Sequence, residues 1–149
     1  MEKIADILEE IKTRVAAALA LDPSRVLLSP RPNELPDDTD PYAAIRAELD
    51  QGRAATLAYD DVTLRVDVAA YVADVPAGDE RERRRMAVAS GVHARLTPCP
   101  VGTHPAISGW DRPVMTQALI QPDEDVPEQL FIGMTFESMT TLARGGYAG

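Results

Sequence analysis

The chain has 149 residues, 45% of them apolar and 26% charged, with 24 acidic side chains against 15 basic ones and a formal net charge of −9. One domain of that length buries about two-thirds of its unfolded surface, and the composition argues against disorder throughout. The acidic balance repels phosphate backbones and anionic lipid, which disfavours sequence-independent nucleic-acid binding, and no apolar run reaches the ~18–20 residues that span a bilayer.

A single cysteine, Cys99, forms no internal disulfide, which fits a reducing compartment. The opening segment MEKIADILEEIKTRV alternates charged with apolar residues and lacks a signal-peptide core. A soluble protein made in the cytoplasm is the expectation.

The first segment reads as an amphipathic helix. Ile4, Ile7, Leu8, Ile11, Val15, Ala18 and Leu19 recur at spacings of three and four, and Asp22-Pro23 ends the pattern. RVLLSPRP at 25–32 reads as one short strand stopped by prolines, and 33–41 as a polar, acidic loop. Asp40 suits an N-cap, Pro41 a first helical position and Gly52 the residue past a helix end, which predicts a short helix over 41–51.

A hairpin follows, with strands at 54–59 and 62–74 joined at Asp60-Asp61. In the second strand Val62, Leu64, Val66, Val68, Ala70 and Val72 alternate with polar residues, so one face is buried. Asp79 with Glu82 resembles a capping box opening a second helix that runs to residue 96. Its inward stripe is read as Met86, Ala89, Val92, His93 and Leu96, and Gly91 weakens it.

Residues 97–113 form a long loop rich in proline and glycine. Strands at 114–120 and 130–143 flank an acidic turn, and 145–149 is a frayed tail. The last strand places Leu130, Ile132, Met134 and Phe136 on one face, and Phe131 and Met139 add apolar surface to the other. Both faces are therefore expected to be covered, by helices or by a neighbouring subunit. The fold class is α+β: a single domain with a mostly antiparallel sheet and two or three helices packed on it.

No catalytic, cofactor or metal site emerges from the residues. Cys99, His104 and Asp111 have suitable donor atoms, but structural zinc normally takes four Cys or His ligands in paired short spacings. Cys99 and His104 could form a nucleophile pair only with an orienting third group, and two prolines flank Cys99. The common phosphate-binding loops are absent. ERERRR at 80–85 reads as a solvated helical turn in which glutamates pair with arginines, and the acidic stretches 34–40 and 123–128 lack the spacing of a calcium loop.

The order of elements resembles the tail-terminator proteins of long-tailed phages and phage-derived gene transfer agents. The stretches that carry the resemblance are IADILEEIKTRVAAAL, RVLLSPRP, VTLRVDVAAYVAD followed by RRRMAVASGVHARL, and LFIGMTFESMTTLA. It spans about the whole chain as a pattern of elements, and the 97–113 loop has no place in it. The resemblance implies a structural virion protein without enzymatic activity. Such proteins form a six-fold homomeric ring that caps the tail tube, stops its polymerisation and meets the head-side connector, with DNA only passing through the lumen.

Closed rings need two different patches per subunit. Candidate partner contacts are Glu34, Asp37 and Asp38 in the acidic loop and Trp110, Asp111 and Arg112 in the long loop, with Trp110 as its anchor. Arg84 and Arg85 are candidates for ion pairs between subunits. A head–tail joining protein is the near alternative. A small enzyme using Cys99 and His104, or a ligand-binding domain, is the alternative from another class.

Overall fold

The apolar residues of the first segment fall on one side of a helix, and that side closes over a sheet. In a computed structural model, which describes residues 2–36, 40–72, 78–99, 102, 104–122 and 130–146, this helix is α1 (Glu2–Leu19). Ile4, Ile7, Ile11 and Val15 are buried, and Leu8, Ala18 and Leu19 pack on the rim of the core. Full burial of such a side chain contributes about 1.5–3 kcal/mol. Beyond α1, Asp22 caps a short turn over Pro23–Arg25. The Ser24 amide donates to its carboxylate at 2.9 Å and holds that carboxyl below its ordinary range.

Five strands follow: β1 (Val26–Leu28), β2 (Tyr42–Ala54), β3 (Tyr59–Val72), β4 (Asp111–Pro122) and β5 (Leu130–Ala143). They form one sheet in the order β1-β2-β3-β5-β4. Only β1 with β2 is parallel; the other neighbours are antiparallel. The fold is α+β. Val62, Leu64, Val66, Val68, Ala70 and Val72 of β3 are all buried, as their alternation predicts. With Ile132, Met134 and Phe136 of β5, those from Leu64 to Val72 form a common core against α1 and the second helix, α2 (Asp79–Leu96).

Three expectations are corrected. Residues 41–51 are not a helix but the first part of β2. Ala43 and Ile45 are buried opposite Ala70 and Val68, and that long-range pairing overrides the cap-like Asp40, Pro41 and Gly52. The hairpin therefore turns at residues 55–58 rather than at Asp60-Asp61. There Thr56 Oγ1 accepts from the Ala58 and Tyr59 amides at 3.2 and 3.0 Å, while Asp60 and Asp61 pair with Ala54 and Arg53.

The third correction concerns α2, which is rotated from the expected stripe. Val92 and Leu96 are buried and Val88 and Ala89 pack on the core, whereas Met86 is 60% exposed and His93 is exposed. The half-buried Arg81 and Arg85 share the inward side, because their long aliphatic stems cover apolar surface as well as a methionine does. Its cap is Gly78, with no side-chain cap hydrogen bond, in place of Asp79.

Gly91 lies where α2 crosses α1, and a Cβ there would meet the Ala18 carbonyl oxygen at 3.8 Å, an ordinary contact. Gly91→Ala is therefore expected to raise stability by about 0.5–1 kcal/mol, since alanine orders more readily in a helix. Chemical denaturation checks this, and a loss of stability would show that the helix crossing is tighter than this contact implies.

Candidate functional site

Residues of β2, β3 and β5 that alternate with the core set form a second sheet face, on the side away from both helices. Register arranges them in rows across three strands. The first row is Tyr42, Tyr71 and Phe131. The two tyrosine rings stack at 4.6 Å between centroids, and Phe131 tilts against Tyr71 at 5.1 Å. Such pairs contribute roughly 0.5–1.5 kcal/mol beyond their buried area.

The next row, Ala44, Ala69 and Gly133, is a trough of small side chains. Pro30, Pro32 and Leu35 lean over this end of the face. Between them and Ala44, Ala69, Tyr71 and Phe131 lies a cleft of about 310 Å³.

The remaining rows are polar. Arg46, Asp67 and Thr135 form the third, in which the Thr135 hydroxyl donates to Asp67 at 2.7 Å. Glu48, Arg65 and Glu137 form the fourth. Arg65 reaches three carboxylates, at 2.9 Å to Glu137, 3.1 Å to Asp50 and 3.5 Å to Glu48. The hydrogen bond that Arg65 donates to Glu137, the charge of Glu137, and the charges of Asp50 and Glu48 raise the guanidinium pKa further above its already high ordinary value.

Arg65 thus neutralises one charge where three are gathered. Arg65→Met is expected to lower the melting temperature by leaving three carboxylates facing one another across the strands. High salt should restore part of that loss, because these groups are solvent-accessible and their repulsion is screened. A melting temperature equally depressed in low and high salt would mean that the stem of Arg65 matters rather than its charge.

The 97–113 loop ends in a core element. A tight turn joins Ile107 to Trp110, whose amide donates to the Ile107 carbonyl at 3.1 Å. Gly109 takes φ 86°, a left-handed value suited to glycine, and a Cβ there would approach Cε of Lys3 to 2.7 Å. Lys3 crosses the turn and donates to the Thr141 carbonyl at 2.9 Å. Trp110 itself is fully buried, and its Nε1 donates to the Leu64 carbonyl at 3.2 Å.

Trp110 therefore anchors its own subunit and is not an exposed partner contact, which corrects the expectation. The large apolar side chain joins the core where the first turns of α1, at Lys3 and Ile7, lie against its turn. Asp111 and Arg112 follow as the exposed start of β4, Arg112 with φ 47°, so the strand begins three residues earlier than expected.

The other candidates are scattered. Glu34 is exposed and pairs with Arg31 at 3.7 Å, and Asp37 and Asp38 lie outside the described residues. Arg85 is held by Glu82 at 2.6 Å within α2, which occupies it inside the subunit. Arg84 is exposed, on the rim of a cavity of about 480 Å³ between α2 and the end of α1. Cys99, His104, Asp111 and Arg112 share the wall of a cavity of about 790 Å³. Among the described residues no hydrogen bond joins Cys99 to His104, and no three His, Cys, Asp or Glu side chains gather as a metal site.

Sequence reasoning reached the open face only through Phe131 and Met139 and missed its β2 and β3 residues. Its signal was Thr63, Arg65, Asp67, Ala69 and Tyr71, the set that alternates with the buried residues of β3. Reading 41–51 as a helix removed Tyr42, Glu48 and Asp50 from the sheet, and with them the partners of Tyr71 and Arg65. Among the described residues no helix is long and apolar enough to cross a membrane. No protein-family model matches this chain, and no curated protein matches it.

Proposed function

We propose that this chain is a structural assembly protein of a phage-type tail, a tail terminator that closes as a homomeric ring on the end of the tail tube and joins it to the head-side connector. One observation carries the reading. The helices cover a single face of the sheet, and the other face presents the half-buried rings of Tyr71 and Phe131 beside a surplus of carboxylates. A subunit with two unlike broad surfaces suits the heterologous contacts that a closed ring requires. The order of elements supports the same reading, and α1, β3 and β5 occupy the stretches on which the resemblance rests.

A net charge of −9 per subunit gives such a ring an acidic rim along which DNA passes without adhering. The reading requires no catalysis. Native mass spectrometry over a wide concentration range, with and without purified tail tubes, tests it. A discrete six-subunit species, or a ring that forms only on tubes, is the expected result. A monomer that also ignores tubes would remove the reading.

Cys99 is exposed and lines the loop cavity, so its alkylation is expected to leave assembly unchanged. A turnover that disappears on alkylation would favour the enzyme alternative instead.

A further inference from the structure

Helix α2 and the open sheet face differ in sign. Within a chain of net charge −9, α2 is a basic element, with Arg81, Arg83, Arg84, Arg85 and Arg95 against Asp79, Glu80 and Glu82. On the open sheet face the balance is reversed, because Glu48, Asp50, Asp67 and Glu137 outnumber Arg46 and Arg65. Arg84 and Asp67 each have no ion pair among the described residues. Each surface keeps uncompensated charge of the sign the other needs.

The outer side of α2 is also unusual for a helix in water. From Met86 to Ala94 there is no Asp, Glu, Lys or Arg, yet Met86, Ala87, Ser90, His93 and Ala94 are exposed. Solvated helix faces normally carry charges. On the sheet face, the cleft beside Tyr71 and Phe131 opens between the small-residue row and Pro30, Pro32 and Leu35. Methionine is the side chain best suited to such an irregular gap, and its sulfur packs favourably against aromatic rings.

The sheet edges serve less well. Register along β4 breaks between Asp111 and Val114 and again between Met115 and Gln117, and the strand carries Pro113 and Pro122. At the other side the edge strand β1 pairs with only Ala43–Ile45 of β2, and beyond it the β2–β3 register breaks between Asp50 and Arg53. Bulges and prolines of this kind discourage edge-to-edge pairing.

We propose that the open sheet face is covered by α2 of a second copy of this chain. Arg83 and Arg84 lie over the Glu48 and Asp67 rows, and Met86 enters the cleft beside Tyr71 and Phe131. The two surfaces are different patches of one subunit, so the contact runs head to tail, the heterologous kind from which rings are built. This inference rests on the ring reading and adds to it which surfaces meet.

The test is sedimentation velocity on the full chain and three variants, with far-UV circular dichroism and melting curves to confirm the fold of each. Met86→Asp and Arg84→Glu are each expected to raise the assembly dissociation constant at least tenfold without changing the monomer's spectrum. Because every subunit supplies both surfaces, Arg84→Glu combined with Glu48→Lys is expected to regain most of the loss. Assembly of both single variants at wild-type strength, or a combined variant no better than Arg84→Glu alone, would overturn the inference while leaving the ring reading in place. A wild-type chain that stays monomeric at every concentration and on tubes overturns both.

Discussion

Replacing Trp110 with alanine is expected to cost about 3–5 kcal/mol, the range for removing a large buried aromatic side chain, and to lower the melting temperature by about 10 °C. Trp110 and Phe136 are the two largest fully buried side chains of the core, and Trp110 is held from a loop rather than from a regular element. Trp110→Phe keeps most of the apolar area and removes the donor to the Leu64 carbonyl, so its cost should be nearer 1 kcal/mol for the lost bond, plus a smaller packing loss. Urea denaturation separates the two variants. The chain has one tryptophan, so the intrinsic fluorescence of the folded protein should be blue-shifted and move to the red on unfolding. A Trp110→Ala variant within 1 kcal/mol of the parent would return this residue to the exposed docking role its loop first suggests.

Replacing Ile45 is the second large effect, and it tests the strand that the sequence disguised. Ile45 is 1% exposed, opposite Val68, so Ile45→Ala should cost about 2–5 kcal/mol, and Ile45→Asp should cost more by burying an uncompensated charge. Its neighbour Arg46 lies on the open face and is exposed, and Arg46→Thr should change stability by less than about 0.5 kcal/mol.

Leu49 makes the comparison decisive. In a helix over 41–51 it would share a face with Ile45, and Leu49→Ala would cost as much as Ile45→Ala. In the sheet Leu49 lies beyond the helices, 42% exposed, and its truncation should cost half as much or less. Equal costs measured by denaturation would restore the helix.

The α+β class, α1, the buried row of β3 and the whole of β5 were legible in the chain itself. Their burial pattern is a local property: a period of 3.6 or 2 records which way each side chain points, whatever it packs against. The spans of β5 and α2 follow from the same signal, and so does the inward set of α1. Tertiary structure decided the rest, because it depends on what lies across the strand or beneath the helix.

Tyr42–Ala54 contains good helix formers with helix-like flanks, and it is a strand because β3 needs a neighbour on that side. Met86 gave way to Val88 and the half-buried Arg81 and Arg85 because which side of α2 turns inward is set by the surface beneath it, and several stripes of its sequence have nearly the same periodicity. Trp110 went inside because a turn set by Gly109 returns it beneath Lys3, and no spacing in the loop encodes that return. Arg65 met Glu48, Asp50 and Glu137 only through the register of three strands, which brings together residues up to 72 positions apart. The open face is a product of that register, so a sequence read one segment at a time shows its residues but not their company.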